Sequence, residues 1–288
     1  MRGGEADLLD TWKAVILGVL QGLTEFLPVS SSGHLVLGQH LLGFRPPGLV
    51  LEVALHLGTL AAVVVVFARD LGRLLAGGWL AIARMASGVP PGQALTEEPG
   101  ARLLGALVVA SAVTAGLAWL AEPWLRATFE RPAVAAGMLL ATGVLLRAAG
   151  RAGDGRKPLW GIGWADAAVV GVAQAIAIIP GISRSGSTIA AGLFRGMERE
   201  TAARFSFLLS VPAILGAGLL ELGQLRGMEE PWPAWPALLP AVGAAAVTGI
   251  LAISLLLSVV RRGRIALFAY YCWMVGGTAL LWLAVQGR

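Results

Sequence analysis

One cysteine in 288 residues, Cys272, excludes an internal disulfide. Free cysteine is usually buried, so Cys272 reads as a small apolar residue of a late helix rather than a reactive thiol. Charge is also scarce: 14% of the residues are charged and 57% apolar, with a mean hydropathy of +0.76. Soluble domains carry about a quarter charged residues. Short alternating strands are missing, which argues against a β-barrel. Basic stripes interleaved with aromatics are missing as well, so the net charge of +5 points to juxtamembrane arginines and not to nucleic acid. The first ten residues carry Glu5, Asp7 and Asp10, and no small-residue cleavage site follows a short apolar run. The first hydrophobic segment is therefore expected to stay in the mature protein.

What the chain does have is long apolar stretches. Residues 49–68, 103–121, 132–146, 205–220, 236–260 and 265–285 are almost free of charge, and roughly 20 such residues cross the hydrocarbon of a bilayer as a helix. The expected class is an all-α polytopic membrane protein, with residues 1–288 forming a single membrane domain.

Two further stretches are apolar but broken. "GVLQGLTEFLPVSSSG", Gly18 to Gly33, lies without a gap over "GVAQAIAIIPGISRSG", Gly171 to Gly186, at a shift of 153 residues. Each copy carries a proline, which cannot continue a helix, followed by serines and glycines that favour turns and caps. Irregular backbone at membrane depth is tolerated where it is buried in protein or lines a wet cavity. Paired broken segments in two half-chains mark a midplane site in inverted-repeat proteins; two kinked but ordinary spans are the alternative. The reading predicts two inverted repeats, 12–149 and 160–286, each a re-entrant helix hairpin plus three transmembrane helices. With three spans between the copies, the hairpins enter from opposite faces. Fourteen Lys and Arg then fall on one face and seven on the other, with Arg184 in between. The richer face should be cytoplasmic, which puts both termini and the mouth of the first hairpin outside. Residues 72–88, with Arg73 and Arg84 among leucines, should lie on the inner surface as an amphipathic helix.

The breaks carry the chemistry. Gln21 and Glu25 are four apart and share a helix face. An ionisable residue inside a membrane segment is a functional candidate by default, and Glu25 suits a group that exchanges protons or holds Mg²⁺ or Ca²⁺ through oxygen. Ser30, Ser31 and Ser32 supply hydroxyls, Gly33 permits close approach, and His34 opens the next helix. In the second break Arg184 stands among Ser183, Ser185, Ser187 and Thr188 at a helix start, where free N–H groups attract anions. Its planar fork matches phosphate oxygens. A Glu25–Arg184 salt bridge with a purely structural role is the alternative. Taken together, an acid, a histidine, hydroxyls and an arginine on two breaks suit phosphoryl transfer.

"QGLTEFLPVSSSGH" together with "PGISRSGST" closely resembles the undecaprenyl-diphosphate phosphatase family, bacterial membrane enzymes associated with bacitracin resistance. The resemblance runs from about residue 12 to the C-terminus. It implies an enzyme that removes the terminal phosphate of the C55 isoprenoid diphosphate and so recycles the lipid carrier for cell-wall synthesis. It also implies a fold of two inverted repeats with re-entrant hairpins, and a homodimer in the bacterial cytoplasmic membrane. The family's paired-acid motif matches Gln21 and Glu25; the Gln removes one of the two carboxylates that a paired-acid metal scheme would need. The family's serine and histidine match Ser31 and His34, and its phosphate-binding arginine matches Arg184. Ser31 with His34 as its base is the favoured nucleophile, over water activated by His34 or Glu25. Glu52 and His56, four apart, are either supporting residues or boundary positions. Asp166 is expected to cap the helix that leads to Gln174, His40 to be interfacial, and "PWPAWP" at 231–236 to turn at the outer face. The rival function is a transporter or flippase of the polyprenyl phosphate carrier.

Overall fold

A computed structural model of the chain describes residues 2–34, 48–129, 131–225 and 235–285. His40, Arg45, Arg226, Arg288 and residues 231–234 of the "PWPAWP" stretch lie outside the described residues. Most of the described residues are helical, with no strand among them.

Helix α1 (Arg2–Phe26) stops two residues before Pro28. The chain turns through Leu27–Val29, and a new helix opens at Ser31. Helix α2 (Gly48–Val66) is followed by a 79° bend at Phe67 into α3 (Ala68–Ala86). Short α4 (Pro91–Glu97) begins with proline at its first position, where the missing N–H does no harm. Helices α5 (Pro99–Phe129) and α6 (Pro132–Ala149) complete the first half.

In the second half, α7 (Trp164–Ile176) ends before Pro180, and α8 (Arg184–Phe194) restarts behind Ser183. Helices α9 (Arg199–Leu225), α10 (Trp235–Arg261) and α11 (Leu267–Val285) follow. Five helices, α5, α6, α9, α10 and α11, are long and apolar enough to cross a membrane, and the bent α2–α3 pair makes a sixth. These are the six stretches read from the sequence, and the protein is a multi-pass membrane protein.

Helix α3 buries Leu74 and Ala81 and exposes Leu75, Trp79, Leu80 and Ile82. Its buried Asp70 takes Arg204 Nη2 on both carboxylate oxygens, at 2.7 and 2.6 Å, which pins α3 to α9. Arg84 at its far end donates to Glu97 and holds that exposed carboxyl below the usual range.

Small residues set the closest packing, as they do where helices meet without a hydrophobic drive from water. Helix α1 lies along α10, and a Cβ on Gly18 would run into the Ala241 carbonyl. Helix α7 lies along α5, and a Cβ on Gly171, which Gly18 matches at the 153-residue shift, would meet the Ala110 carbonyl. Helices α6 and α11 pair through Gly143 and Gly276. Beneath the first break, buried Phe26 meets Phe207 edge-on at 5.7 Å, and Phe207 meets Phe67 at 5.6 Å. This aromatic floor fixes the residue next to Glu25.

Candidate functional site

The two breaks face each other. Ser185 Oγ donates to the Leu27 carbonyl at 3.2 Å, Cys272 Sγ to the Pro28 carbonyl at 3.4 Å, and Pro28 lies against Gly186. Thr142 on α6 ties the second break from behind. It accepts from Ser183 N at 3.1 Å and donates to the Gly181 carbonyl at 3.0 Å. Gly181 has φ +90°, and a Cβ there would strike the Ala135 carbonyl, so only glycine fits.

Glu25 stands at the centre, in the last turn of α1, and is buried. Its Oε1 accepts from Arg184 Nη2 at 2.6 Å. Its Oε2 accepts from Ser31 Oγ at 2.8 Å and from Gln21 Nε2 at 3.1 Å, and His56 Nε2 lies 3.8 Å away. His56 is itself oriented by Nδ1 on the Glu52 carbonyl, at 2.8 Å. The structure thus brings Gln21, Glu25, Ser31, His56 and Arg184 together. The Glu25–Arg184 pair anticipated as the structural alternative is present. It uses one arm of the guanidinium: Arg184 Nη1 is buried without a hydrogen-bond partner among the described residues. A buried donor left so costs about 1–3 kcal/mol.

The base expected for Ser31 was His34, but the hydroxyl is bonded to Glu25. Both ring nitrogens of His34 are engaged elsewhere, on the Ser30 carbonyl at 2.9 Å and on Tyr271 Oη at 2.6 Å. Tyr271 was not singled out in the sequence; it comes from an apolar helix 237 residues away. Ser30 holds φ +68° and is the one non-glycine residue among those described with positive φ. Such backbone costs on the order of 1–3 kcal/mol and gathers at functional sites.

The remaining hydroxyls divide. Ser183 caps α8, accepting from Gly186 N at 3.1 Å, and touches Ser185 Oγ at 3.2 Å. Thr188 is spent on the Arg184 and Ser185 carbonyls and on Ser206 Oγ, at 2.6 Å. Ser32 is exposed and meets Ser30 Oγ at 3.4 Å. Ser187 Oγ is buried with no partner among the described residues. Gln174 donates to Thr114 at 3.1 Å, on α5. Asp166 accepts from Gly163 N at the start of α7 and pairs with Lys157 and Arg195 at 2.6 and 2.8 Å.

Among the described residues no three His, Cys, Asp or Glu side chains are placed to hold a metal ion. The donors that are present, one engaged carboxylate and nearby hydroxyls, suit an ion that takes most of its ligands from a substrate's phosphates, as Mg²⁺ commonly does. The arrangement can bind an oxyanion through Arg184 Nη1 and the open N–H groups of the α8 N-terminus. Beside that oxyanion it presents a hydroxyl oriented by a carboxylate.

The family described as Bacitracin resistance protein BacA matches residues 14–278. An undecaprenyl-diphosphatase of Desulforapulum autotrophicum is 42% identical over 268 residues, covering 93% of this chain and 96% of the relative. One from Syntrophotalea carbinolica is 45% identical over 276 residues, covering 92% and 95%. One from Rubrobacter xylanophilus is 44% identical over 268 residues, covering 92% and 95%.

Proposed function

The chain belongs to the Bacitracin resistance protein BacA family, and on that premise we propose that it hydrolyses undecaprenyl diphosphate to undecaprenyl phosphate and inorganic phosphate. The substrate class follows from the relatives' names, and the reaction recycles a lipid carrier for cell-wall synthesis. The observation that carries the reading at the level of residues is the divided guanidinium of Arg184. Nη2 is held by one oxygen of Glu25, whose other oxygen holds Ser31, while Nη1 stays buried without a hydrogen-bond partner among the described residues.

The terminal phosphate binds Arg184 Nη1 and the α8 N-terminus, with Ser187 close by on the same helix. Ser31 Oγ attacks its phosphorus and the bridging P–O bond breaks. The leaving group is the lipid monophosphate, which needs no strong acid. The Ser31 proton passes to Glu25 Oε2, already its acceptor. Water then hydrolyses the phosphoserine and frees inorganic phosphate. Phosphoryl transfer passes through a loose transition state, so positioning and charge matter more than a strong base. Direct attack by water positioned by Glu25 or His34 is the competing route. A divalent ion, Mg²⁺ or Ca²⁺, would arrive with the diphosphate, take Glu25 as its protein ligand and neutralise charge on the phosphates.

The architecture proposed with this function is two inverted repeats, 12–149 and 160–286, in the bacterial cytoplasmic membrane, with the site opening to the outer face and two copies forming a dimer. The crossed packing of α1 on α10 and α7 on α5 supports the repeat. Two facing breaks also suit a transporter, so flipping of the carrier is the second reading. Detergent-purified protein given C55 diphosphate should release phosphate, and a chelator should suppress that release. No release, with lipid movement in vesicles intact, overturns the hydrolase in favour of the flippase. Full turnover in chelator removes the metal.

A further inference from the structure

His34 is buried, and its hydrogen bonds assign its protons. Nδ1 is 2.9 Å from the Ser30 carbonyl oxygen, which can only accept, so Nδ1 carries hydrogen. In the neutral ring Nε2 is then an acceptor, and Tyr271 Oη, 2.6 Å away, donates to it. The two rings lie nearly parallel, 14° apart in plane, with centroids at 5.7 Å. The carbonyl that His34 grips belongs to Ser30, whose φ of +68° is a conformation that its own side chain disfavours. The residue after that carbonyl is Ser31, whose hydroxyl reaches Glu25 at 2.8 Å.

We propose that Tyr271 is a positioning residue for the reaction, a role that rests on the diphosphatase reading above. The Ser30 carbonyl sets His34 as the Nδ1–H tautomer, the Tyr271 hydroxyl holds the ring against that carbonyl from the Nε2 side, and the clamped turn aims Ser31 at Glu25. The tautomer of a histidine is set by the bond that its other nitrogen makes, here the Ser30 carbonyl, so removing the tyrosine hydroxyl leaves Nε2 without its donor and frees the ring to turn away from that carbonyl. His34 then serves through Nδ1–H as a brace and not as the base for Ser31. The last helix of the chain thereby controls the first break.

The test uses purified full-length protein with ¹⁵N-labelled histidine. The chain has three histidines, and the spectrum of His34→Asn identifies the His34 signals by their loss. Wild type should show a neutral Nδ1–H ring at His34, and Tyr271→Phe should shift its Nε2 resonance as the hydrogen bond to that acceptor is lost. Tyr271→Phe should lower kcat about tenfold, equivalent to ~1.4 kcal/mol, with KM within about twofold. Tyr270→Phe, at an exposed neighbouring ring packed edge-on against Trp273, should change neither spectrum nor turnover. The amide of His34→Asn can donate to the Ser30 carbonyl but cannot act as a base. It should therefore retain about tenfold more activity than His34→Ala, the worth of one hydrogen bond. An Nε2–H ring in wild type, an unchanged spectrum in Tyr271→Phe, or a folded His34→Asn as inactive as His34→Ala overturns the proposal. A wild type that releases no phosphate overturns the diphosphatase reading and the catalytic half of this proposal, and it leaves the tautomer result standing.

Discussion

The first break, Leu27 to Ser30, and the second, Ala177 to Ser183, grow from one sequence frame and are secured in different ways. The second is tied on every side. Gly181 sits against Ala135, Thr142 holds both Gly181 and Ser183, Ser183 caps its helix, and Thr188 reaches Ser206. The first has fewer ties. Ser185 and Cys272 hold its carbonyls, His34 holds Ser30 in a left-handed turn without a glycine, and Ser32 is exposed. The difference separates labour. Around the second break Ser183 and Thr188 are spent locally, Ser185 reaches across to the first break, and Arg184 presents a cation. At the first, Ser30 is buried, Ser31 half-buried and Ser32 exposed.

If that division holds, substitutions at the first break should remove turnover without unfolding, and those at the second should do the reverse, except at Arg184. Glu25→Gln should have the largest effect. It keeps size but loses the charge that faces Arg184 and orients Ser31. Two charge-assisted hydrogen bonds at about 1.5–3 kcal/mol each place the loss in kcat/KM at roughly 10²- to 10⁴-fold. Near-normal phosphate release from monodisperse Glu25→Gln protein would remove Glu25 from the mechanism.

Arg184→Lys should come next. Lysine can neutralise Glu25 from nearly the same place but cannot offer a second arm. A loss of roughly 10- to 10³-fold in kcat/KM, part of it in kcat, is expected if Nη1 follows phosphate into the transition state. The double change Glu25→Gln with Arg184→Gln should be folded and inactive. Wild-type kinetics for the lysine variant, together with an active double variant, would reduce the pair to a structural salt bridge.

The smallest effect on rate belongs to Thr142→Val. It strands the Ser183 N–H and the Gly181 carbonyl, which costs about 1–3 kcal/mol of stability and should leave kcat within about threefold. A thermal melt beside a turnover assay decides it. Unchanged melting with lost turnover would mean that the second break is tuned for reaction and not only for support.

Much of this site was legible because its chemistry is written locally. Proline, serine and glycine announce a broken helix, and a lone carboxylate or arginine in an apolar run needs a reason. Gln21 and Glu25 meet because four residues bring side chains round one helix face. The six spans were legible from apolar length alone. Tyr271, Thr142 and Ser206 were not, since no local pattern sets them apart within long, mainly apolar helices, and only packing brings them to the residues of a break. The pairing of Ser31 with Glu25 rather than His34 was hidden for a related reason. It depends on the sign of one backbone angle, at Ser30, where no glycine signals the turn.

The seating of Gly18 against the Ala241 carbonyl bears on how the protein is made. The groove that receives α1 belongs to a helix that emerges from the ribosome roughly 220 residues later, about 10–40 s of synthesis at typical rates. Throughout that interval the first hairpin has no α10 to lean on, and Glu25 has no Arg184 for most of it. A nascent chain in this condition holds an unpartnered carboxylate in an apolar segment. Ribosome stalling or truncation before α8 should therefore yield a chain that insertion quality control removes, while a gene split between α6 and α7 should give stable protein only when both halves are made in the same cell.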